Sequence, residues 1–465
     1  MLKVAVAFLL AAAPVAVLAQ GPELPVDPQV AQLRDAALAD DHAWDIVEGL
    51  TTEIGPRLAG TPAEARARAW AVAKLFALGF ADVRVEAFDM PVWVRGAEQA
   101  EILAPFPQPL VLTALGNSGA TPPEGITAEV IGFDSMAEFE AAPPEAVKGR
   151  IVFVSHAMRP TQDGSGYGAF IGPRSRGPTL ASQRGAAAIL IRSIGTDYHR
   201  NPHTGVTSFS DGAAPIPAGA LSLPDAEQLQ RILDRAAGPV TMRLTMTPRN
   251  IGIRQSGNVI AAVPGRDPAA APVLVACHLD SWDNSTGAVD DAAGCGIVTA
   301  AAKRIMDAGR PLRTIRIVWF GAEEVGLLGG LDYLKRHGKK PHYAIAESDF
   351  GAGGIWKVDS KLGPEREPEA KALQRALAPL GIVSGALDKA QGSDIGPMIA
   401  AGGVPAIGLN QDGSRYFDVH HSPDDTLDKV DPAQLRQNVA AWTAMLAVMT
   451  GGIEPEPKPS RRPRR

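Results

Sequence analysis

Short, strongly apolar runs alternate with helical stretches through the second half of the chain. Three of them have the unbroken hydrophobicity of buried strands: GNVIAAVPG, PVLVACHLD and TIRIVWFGAEE. Helical patterns separate and follow them, over residues 292–308, 326–337, 366–380 and 432–449. Alternation of this kind predicts an α/β layer fold with a mostly parallel central sheet.

Residues 111–250 differ in composition and hydrophobic pattern from the sequence on either side. Prolines and glycines are dense there, and the short β-like runs AEVIGF, GRIVFV and AAAILI appear among them. We therefore predict a β-rich domain inserted between two parts of the α/β domain, residues 20–110 and 251–451. Residues 452–465, which end in EPEPKPSRRPRR, are rich in proline and arginine and are predicted to be disordered.

The first residues, MLKVAVAFLLAAAPVAVLAQ, combine a positive start, an apolar run and small residues before Ala19. This pattern is typical of a signal peptide over residues 1–19, so we expect a secreted or periplasmic protein. A membrane anchor is the alternative, but the run is short and contains Pro14. The net charge of −6 argues against nucleic acid as a partner. Cys277 and Cys295 form either one disulfide or two buried thiols.

Histidines and carboxylates follow the apolar runs, at the end where ligands bind in open α/β sheets. Five separated segments supply them: His278, Asp280 and Asp283; Asp290 and Asp291; Glu323 and Glu324; Glu347 and Asp349; His420, His421, Asp424 and Asp425. Each segment alone is explained by helix capping or a solvated loop. Together the carboxylates would repel one another unless cations compensate them. Nitrogen and oxygen ligands without a thiolate suit Zn²⁺ in an open catalytic site.

The order His-x-Asp, Asp-Asp, Glu-Glu, Asp, His resembles the M28 family of co-catalytic zinc peptidases. Asp290 lies twelve positions after His278, as in that family, and IGPRLAGTP at 54–62 looks like its N-terminal segment. SRYFDVHHSPDDT and GSDI are most similar to the plasma glutamate carboxypeptidase branch, also called carboxypeptidase Q. The resemblance implies a three-layer α/β/α peptidase domain, with an inserted protease-associated (PA-like) domain at 111–250.

The resemblance also implies a role for each ligand of two Zn²⁺ ions. His278 and Asp349 would bind one ion, Glu324 and His421 the other, and Asp290 would bridge them. Glu323 would be the general base and acid. A cis peptide after the bridging aspartate is also expected. Neighbouring residues leaving a strand point in different directions, so the two glutamates can have different tasks.

Further residues are candidates around this centre. Asp280 lies two positions after His278 on a predicted strand, so we expect its carboxylate to hold the ring nitrogen of that histidine. His420 and Tyr416 are candidate donors to the oxyanion, although His420 is equally well explained as a packed histidine. Ser393 and Arg415 are candidate contacts for substrate.

The expected function is hydrolysis of dipeptides or short peptides from one end. Dipeptidase or carboxypeptidase action and aminopeptidase action share this metal chemistry, so the sequence leaves them open. A non-catalytic receptor-like relative, or a one-zinc acyl-transfer enzyme of the glutaminyl-cyclase type, fits the full ligand set less well. The branch resemblance suggests a homodimer. The inserted domain either shapes the mouth of the cleft or serves as a surface module.

Overall fold

The structure is a computed structural model that describes residues 26–455. Its helices are α1 (Pro28–Ala37), α2 (His42–Gly49), α3 (Pro62–Ala77), α4 (Met136–Ala141), α5 (Pro144–Val147), α6 (Ser165–Phe170), α7 (Gly172–Ser175), α8 (Gly177–Gln183), α9 (Leu223–Arg235), α10 (Ala293–Ala308), α11 (Leu328–His337), α12 (Glu367–Leu377), α13 (Gly396–Ala400) and α14 (Pro432–Met449). The predicted signal peptide and residues 456–465 of the predicted tail lie outside the described residues.

The strands form two large sheets and one small one. They are β1 (Ala81–Val94), β2 (Glu98–Ala104), β3 (Gln108–Leu110), β4 (Leu112–Ala114), β5 (Ile126–Phe133), β6 (Ile151–Val154), β7 (Ala188–Arg192), β8 (Ala218–Leu221), β9 (Thr241–Met246), β10 (Arg249–Val263), β11 (Val273–His278), β12 (Arg310–Pro311), β13 (Ile315–Phe320), β14 (Ala344–Glu347), β15 (Ile355–Lys361), β16 (Val383–Ser384), β17 (Ala406–Gln411) and β18 (Ile453–Glu454).

The central sheet has the strand order β1-β10-β13-β11-β14-β17-β15-β16. Its middle strands β13, β11, β14 and β17 run parallel. On one side β1 and β10 pair antiparallel with their neighbours, and on the other β15 is antiparallel to β17 but parallel to the edge strand β16. The prediction of a mostly parallel sheet was therefore wrong at the edges, and the sheet is mixed. The reason is local: the long strands β1 and β10 pair as an antiparallel ribbon, which hydrophobic runs alone do not reveal.

Helices cover both faces of this sheet. Alternate residues of β11 point to opposite faces: Val273, Val275 and Cys277 pack in one core, and Leu274 and Ala276 in another. The first core includes residues of α2, α10, α12 and α14, and the second includes residues of α11 and α13. The predicted helices at 292–308 and 432–449 match α10 and α14 closely. The α/β/α layering expected for residues 251–451 is therefore present.

The second large sheet has the order β3-β2-β9-β5-β6-β7-β8-β4 and its own hydrophobic core. Its two edge strands, β3 and β4, are separated in the chain by Val111 alone, so the sheet curls until its edges meet. We call residues 98–246 the inserted domain. Its first strand, Glu98–Ala104, precedes the predicted range 111–250 and pairs with β9, not with the central sheet.

Two smaller predictions are also decided. Cys277 and Cys295 form a disulfide that joins β11 to α10. Ile453 and Glu454, assigned to the disordered tail, instead form β18, which pairs with β12 because Ile453 is buried. Among residues 26–455, no helix is both long and apolar enough to cross a membrane.

Candidate metal centre

Two parallel strands bring the first pair of predicted ligands together. His278 is the last residue of β11, and Asp349 follows the neighbouring strand β14. Nε2 of His278 lies 3.3 Å from Oδ1 of Asp349 and 3.0 Å from Oδ1 of Asp290. The sheet register therefore sets this half of the site, which we call the His278 half.

The second pair comes from two loops. Nε2 of His421 lies 2.9 Å from Oε2 of Glu324 and 3.4 Å from Oδ2 of Asp290. We call this pair the His421 half. Asp290 stands between the halves and turns one carboxylate oxygen towards each. All five side chains named from the sequence as metal ligands thus meet at one edge of the central sheet.

The loop that carries Asp290 is held by the carboxylate of Asp425, a residue for which no role was predicted. Oδ1 of Asp425 accepts hydrogen bonds from the amides of Ala288 (2.8 Å) and Val289 (2.7 Å), and Oδ2 accepts one from Asp290 (3.2 Å). Burial, with the Asp290 carboxylate adding to it, raises the pKa of Asp425 to about 7. The Asp290–Asp291 peptide is cis, as the family resemblance predicted.

Arg57, in the IGPRLAGTP segment, is a second organising residue. It is fully buried, and its guanidinium donates to the carbonyls of Leu279, Thr286 and Gly287. Leu279 directly follows His278, and Gly287 precedes the Asp290 loop. One side chain therefore joins the strand end of the His278 half to the loop of the bridging aspartate.

The donor set fits metal ions. Oδ2 of Asp290 and Oε2 of Glu324 are buried, and apart from the imidazole nitrogens that face them they have no partner among the described residues, which is costly for carboxylates without a cation. With the protein's own charges alone, burial raises the pKa of Glu324 well above its ordinary value, and Asp290 and Glu323 raise it further. At this site, two groups of three side chains have ligand atoms close enough to share an ion: His278, Asp290 and Asp349; Asp290, His420 and His421.

Glu323 is placed differently from Glu324. Its side chain is half-buried, and its carboxylate makes no hydrogen bond or ion pair with any residue that the structure describes. Burial raises its pKa well above the ordinary value, and the carboxylates of Asp349 and Asp290 contribute. Glu323 therefore lies near the charged groups of both halves, but its carboxylate forms no hydrogen bond or ion pair with the described residues of either half.

The geometry that separates the two glutamates is a turn and not an extended strand. β13 ends at Phe320, and Ala322 and Leu327 both have left-handed backbone, with φ of 61° and 58°. A positive φ is uncommon for residues other than glycine and indicates a constrained turn. The strand-based reason given for their different directions was therefore wrong, and the different tasks of the two glutamates stay a prediction.

Asp280 does not act as predicted. The Nδ1 atom of His278 lies 3.0 Å from the backbone carbonyl of Asp280 and 3.8 Å from its carboxylate. That carboxylate instead accepts a hydrogen bond from the amide of Glu323, at 3.1 Å. The reason is that β11 ends at His278, so the alternation of an extended strand does not continue to Asp280.

His420 and Tyr416 both lie at the site. The imidazole of His420 stacks on that of His421, with ring centroids 3.5 Å apart, and its Nε2 lies 3.5 Å from Oδ2 of Asp290. The buried ring of Tyr416 packs against His420, with centroids 4.9 Å apart. Burial, followed by the charge of Asp290, raises the pKa of Tyr416 well above its ordinary value, so its hydroxyl keeps its proton.

The two substrate candidates differ in position. Ser393 lines a cavity beside Asp349, together with Asp163, Glu347, Phe350 and Asn410. The side chain of Arg415 is 92% exposed and its nearest acidic group is Asp418, at 3.8 Å. The structure therefore brings Ser393 to the metal centre and leaves Arg415 in solvent.

Comparisons with known proteins agree with this geometry. The sequence pattern described as Peptidase family M28 matches residues 258–446. Carboxypeptidase Q of Homo sapiens is 33% identical over 90% of this chain and 88% of its own length. The solved structure of a peptidase M28 precursor from Shewanella amazonensis SB2B is 45% identical, covers 93% of this chain and 99% of its own, and has a TM-score of 0.88.

A more distant structure has the same fold. BSAP, a zinc aminopeptidase from Bacillus subtilis, is 20% identical over 90% of this chain and 96% of its own, with a TM-score of 0.63. The family is decided by the nearer relatives, which match almost the whole chain at 33% and 45% identity. The chain belongs to peptidase family M28 and is a metallo-exopeptidase.

Proposed function

We propose that this protein is a di-zinc exopeptidase that hydrolyses dipeptides or short peptides. The observation that carries the proposal is Asp290, whose two oxygens face two separate pairs of ligands, His278 with Asp349 and His421 with Glu324. A carboxylate shared in this way suits two ions held close together. Zinc is supported by the mixed nitrogen and oxygen donors, and by the zinc named for the aminopeptidase of the same fold.

When bound, the ions supply Lewis acidity, which lowers the pKa of water and polarises a scissile carbonyl. The chain itself supplies the proton transfer. Glu323 lies beside both halves with an unengaged carboxylate, so it can take a proton from the attacking water and give it to the leaving amine. Tyr416, whose hydroxyl stays protonated, and His420 are positioned to donate a hydrogen bond to the developing negative charge.

The cavity beside Asp349 favours a substrate with a free amino group. Its lining contains the carboxylates of Asp163, Glu347 and Asp349 and no lysine or arginine. Side-chain amides complete it: Gln391, Asn410 and Gln411. Carboxylates and amide oxygens accept the hydrogen bonds that an ammonium group donates. Both a dipeptidase and an aminopeptidase need such a group, so aminopeptidase action stays as the second candidate.

The inserted domain supports short substrates, since it closes one side of this cavity. Asp163 belongs to that domain, and the carbonyl of the adjacent Gln162 accepts a hydrogen bond from the amide of Gly413, at 2.9 Å. Phe350 packs so tightly against Gly164 and Gly413 that a Cβ atom on either glycine would lie 2.4 Å from its ring. We propose that this PA-like domain limits substrate length by forming a wall of the cleft.

The test uses four substrates of one sequence: a free dipeptide, its N-acetylated form, the corresponding amino-acid amide and a pentapeptide. A dipeptidase should cleave the free dipeptide only. Cleavage of the amide and stepwise shortening of the pentapeptide would establish the aminopeptidase instead. Hydrolysis of the N-acetylated dipeptide without the amide would contradict an amine-binding cavity and indicate carboxypeptidase action.

We also propose that the protein acts outside the cytoplasm. The predicted signal peptide supports export, and the disulfide between Cys277 and Cys295 suits an oxidising compartment. Cell fractionation tests this directly. Accumulation of the full-length, uncleaved chain in the cytoplasm would contradict it.

A further inference from the structure

One contact between the inserted domain and the metal centre involves the backbone of Thr204. Its amide donates a hydrogen bond to the carbonyl of His421, at 2.9 Å. Its own carbonyl lies 3.4 Å from Nδ1 of the same histidine, whose Nε2 faces Glu324 and Asp290. A histidine that binds metal usually donates its other ring N–H to a carbonyl or carboxylate, which fixes the orientation of the ring. For His421 the acceptor in position is supplied by the inserted domain.

A buried arginine holds that carbonyl from the other side. Nη1 of Arg174 donates to the carbonyl of Thr204 at 3.3 Å, and Nη2 donates to the hydroxyl of Tyr167. Arg174 is 6% exposed and, among residues 26–455, forms no ion pair with a carboxylate; its Nε has no hydrogen-bond partner. Burying a guanidinium without an anion is unfavourable, so its position requires an explanation.

The inserted domain is shaped around this side chain. A Cβ atom on Gly205 would lie 1.9 Å from Nη1 of Arg174, so only glycine leaves room for the guanidinium. The hydroxyl of Thr207 donates to the backbone carbonyl of Arg174 at 2.7 Å. The ring of Tyr167 lies under the guanidinium and packs on Phe417, with ring centroids 4.9 Å apart. These contacts fix the Arg174 side chain within the inserted domain, on the side that faces the loop carrying His421.

Arg192 is an informative contrast. It is also a buried arginine of the inserted domain, 8% exposed, but its guanidinium donates to the carboxylate of Glu227 at 3.0 Å. Arg192 therefore has the acidic partner that Arg174 lacks. The difference indicates that Arg174 is placed for the Thr204 carbonyl, and not as part of an ion pair within its own domain.

We propose that Arg174 is a positioning residue of the metal centre and that the inserted domain completes the His421 half. Arg174 orients the carbonyl of Thr204, and this carbonyl orients the imidazole of His421. The inference rests on the proposed di-zinc function. It adds that one of the two ions depends on the inserted domain, whereas the ion of the His278 half does not depend on Arg174.

The test is zinc binding by the full chain, measured by competition with a chromogenic chelator. In Arg174→Met, we expect one of two zinc equivalents to bind about tenfold more weakly and the other to be unchanged. In a His421→Ala background, the same substitution should leave the remaining equivalent unchanged. The matched control is Arg192→Met, which removes a buried arginine of the same domain and should keep both affinities.

Tyr167→Phe provides a second, milder change that removes only the hydroxyl to which Arg174 donates. It should weaken the same zinc equivalent by about two- to threefold, because the guanidinium is held less firmly. Should Arg174→Met fail to fold, this variant decides the question alone. Unchanged affinities in Tyr167→Phe would then overturn the proposal.

The outcomes separate the two proposals. A wild-type protein that binds fewer than two zinc ions contradicts the di-zinc function itself. A wild-type protein that binds two, with both affinities unchanged in folded Arg174→Met, overturns only the role of Arg174. Equal weakening of both zinc equivalents in Arg174→Met would also overturn the role of Arg174. A raised KM at unchanged zinc affinity would do so too, because it would indicate that Arg174 contacts substrate instead.

Discussion

The two halves of the metal centre are built in different ways. His278 ends a strand, and Asp349 follows the adjacent parallel strand, so the sheet register fixes their separation. Glu324 lies in a turn enclosed by two left-handed residues, and His421 itself has a left-handed backbone, with φ of 59°. The His278 half is thus a product of the regular fold. The His421 half is a product of loops and of the inserted domain.

The electrostatics of the halves differ as well. Burial alone would lower the pKa of His278, but the carboxylates of Asp349 and Asp290 raise it well above its ordinary value. For His421 burial prevails, and its pKa falls to about 3. With the protein's own charges alone, one histidine attracts a proton and the other stays neutral. A neutral imidazole is the form that binds a metal ion, so the His421 side chain can bind metal without losing a proton.

The largest expected effect is on kcat and concerns Glu323, which belongs to neither half of the metal centre. Glu323→Gln should lower kcat by about two to four orders of magnitude, because amide nitrogen cannot accept a proton from water. Zinc content should stay at the wild-type value, since Glu323 lies outside both ligand pairs. Steady-state kinetics with zinc analysis checks this, and Glu324→Gln, which should lose zinc, is the matched control. A Glu323→Gln enzyme with near-normal kcat would show that the two glutamates were assigned wrongly.

The next effect tests the rigidity of the His278 half. Arg57→Met should lower the free energy of unfolding by about 3 kcal/mol, because three buried carbonyls lose their donors. Chemical denaturation measures it. The exposed Arg254→Met is the control and should change stability by less than about 0.5 kcal/mol. Equal stability of the two variants would mean that Arg57 does not join the strand end to the Asp290 loop.

A third effect is the pH dependence of the metal-free protein. Burial raises the pKa of Asp425 to about 7 and that of Glu347 to about 8, whereas carboxyls titrate near 4 in the unfolded chain. The folded state therefore holds more protons between about pH 4 and 8, so its stability should fall as pH rises through that window.

Zinc should reverse this trend, since it competes with protons for the same carboxylate cluster. Thermal unfolding with chelator and with zinc, from pH 4.5 to 8, compares the two cases. Midpoints that rise with pH in chelator would contradict the charge arrangement described for the site.

The smallest expected effect concerns Arg415, a predicted substrate contact that lies outside both halves of the metal centre. Arg415→Ala should change kcat/KM by less than about twofold, because its side chain is 92% exposed. Kinetics on a free dipeptide checks this. A tenfold increase in KM would restore Arg415 as a contact for the substrate carboxylate, as the sequence had suggested.

The sequence predicted the His278 half more completely than the rest. Strand ends carry His278 and Asp349, and hydrophobic runs mark strand ends, so both the sheet and these ligands could be anticipated. The assignment of Glu323 and Glu324 depended on family resemblance, because no local pattern distinguishes two adjacent glutamates. The predicted contact between the Asp280 carboxylate and His278 was wrong because β11 ends at His278. The alternation of side chains along an extended strand therefore does not reach Asp280.

The residues that hold the metal ligands in place, Arg57, Asp425 and Thr204, were not predicted from the sequence. Arg57 stands in a segment noted only for its resemblance, although a lone arginine among apolar residues was a signal that could have been used. Asp425 stood in a carboxylate-rich stretch without a role, because its partners are backbone amides far away in the chain. Thr204 acts through its carbonyl, which every residue has, so no sequence pattern could identify it.

The central claim is that two metal ions lie on either side of Asp290. Anomalous diffraction at the zinc edge, from crystals of the full chain grown with zinc, tests it most directly. We predict two peaks: one among His278, Asp290 and Asp349, and one among Asp290, Glu324 and His421. A single peak, or zinc bound away from Asp290, would contradict the account.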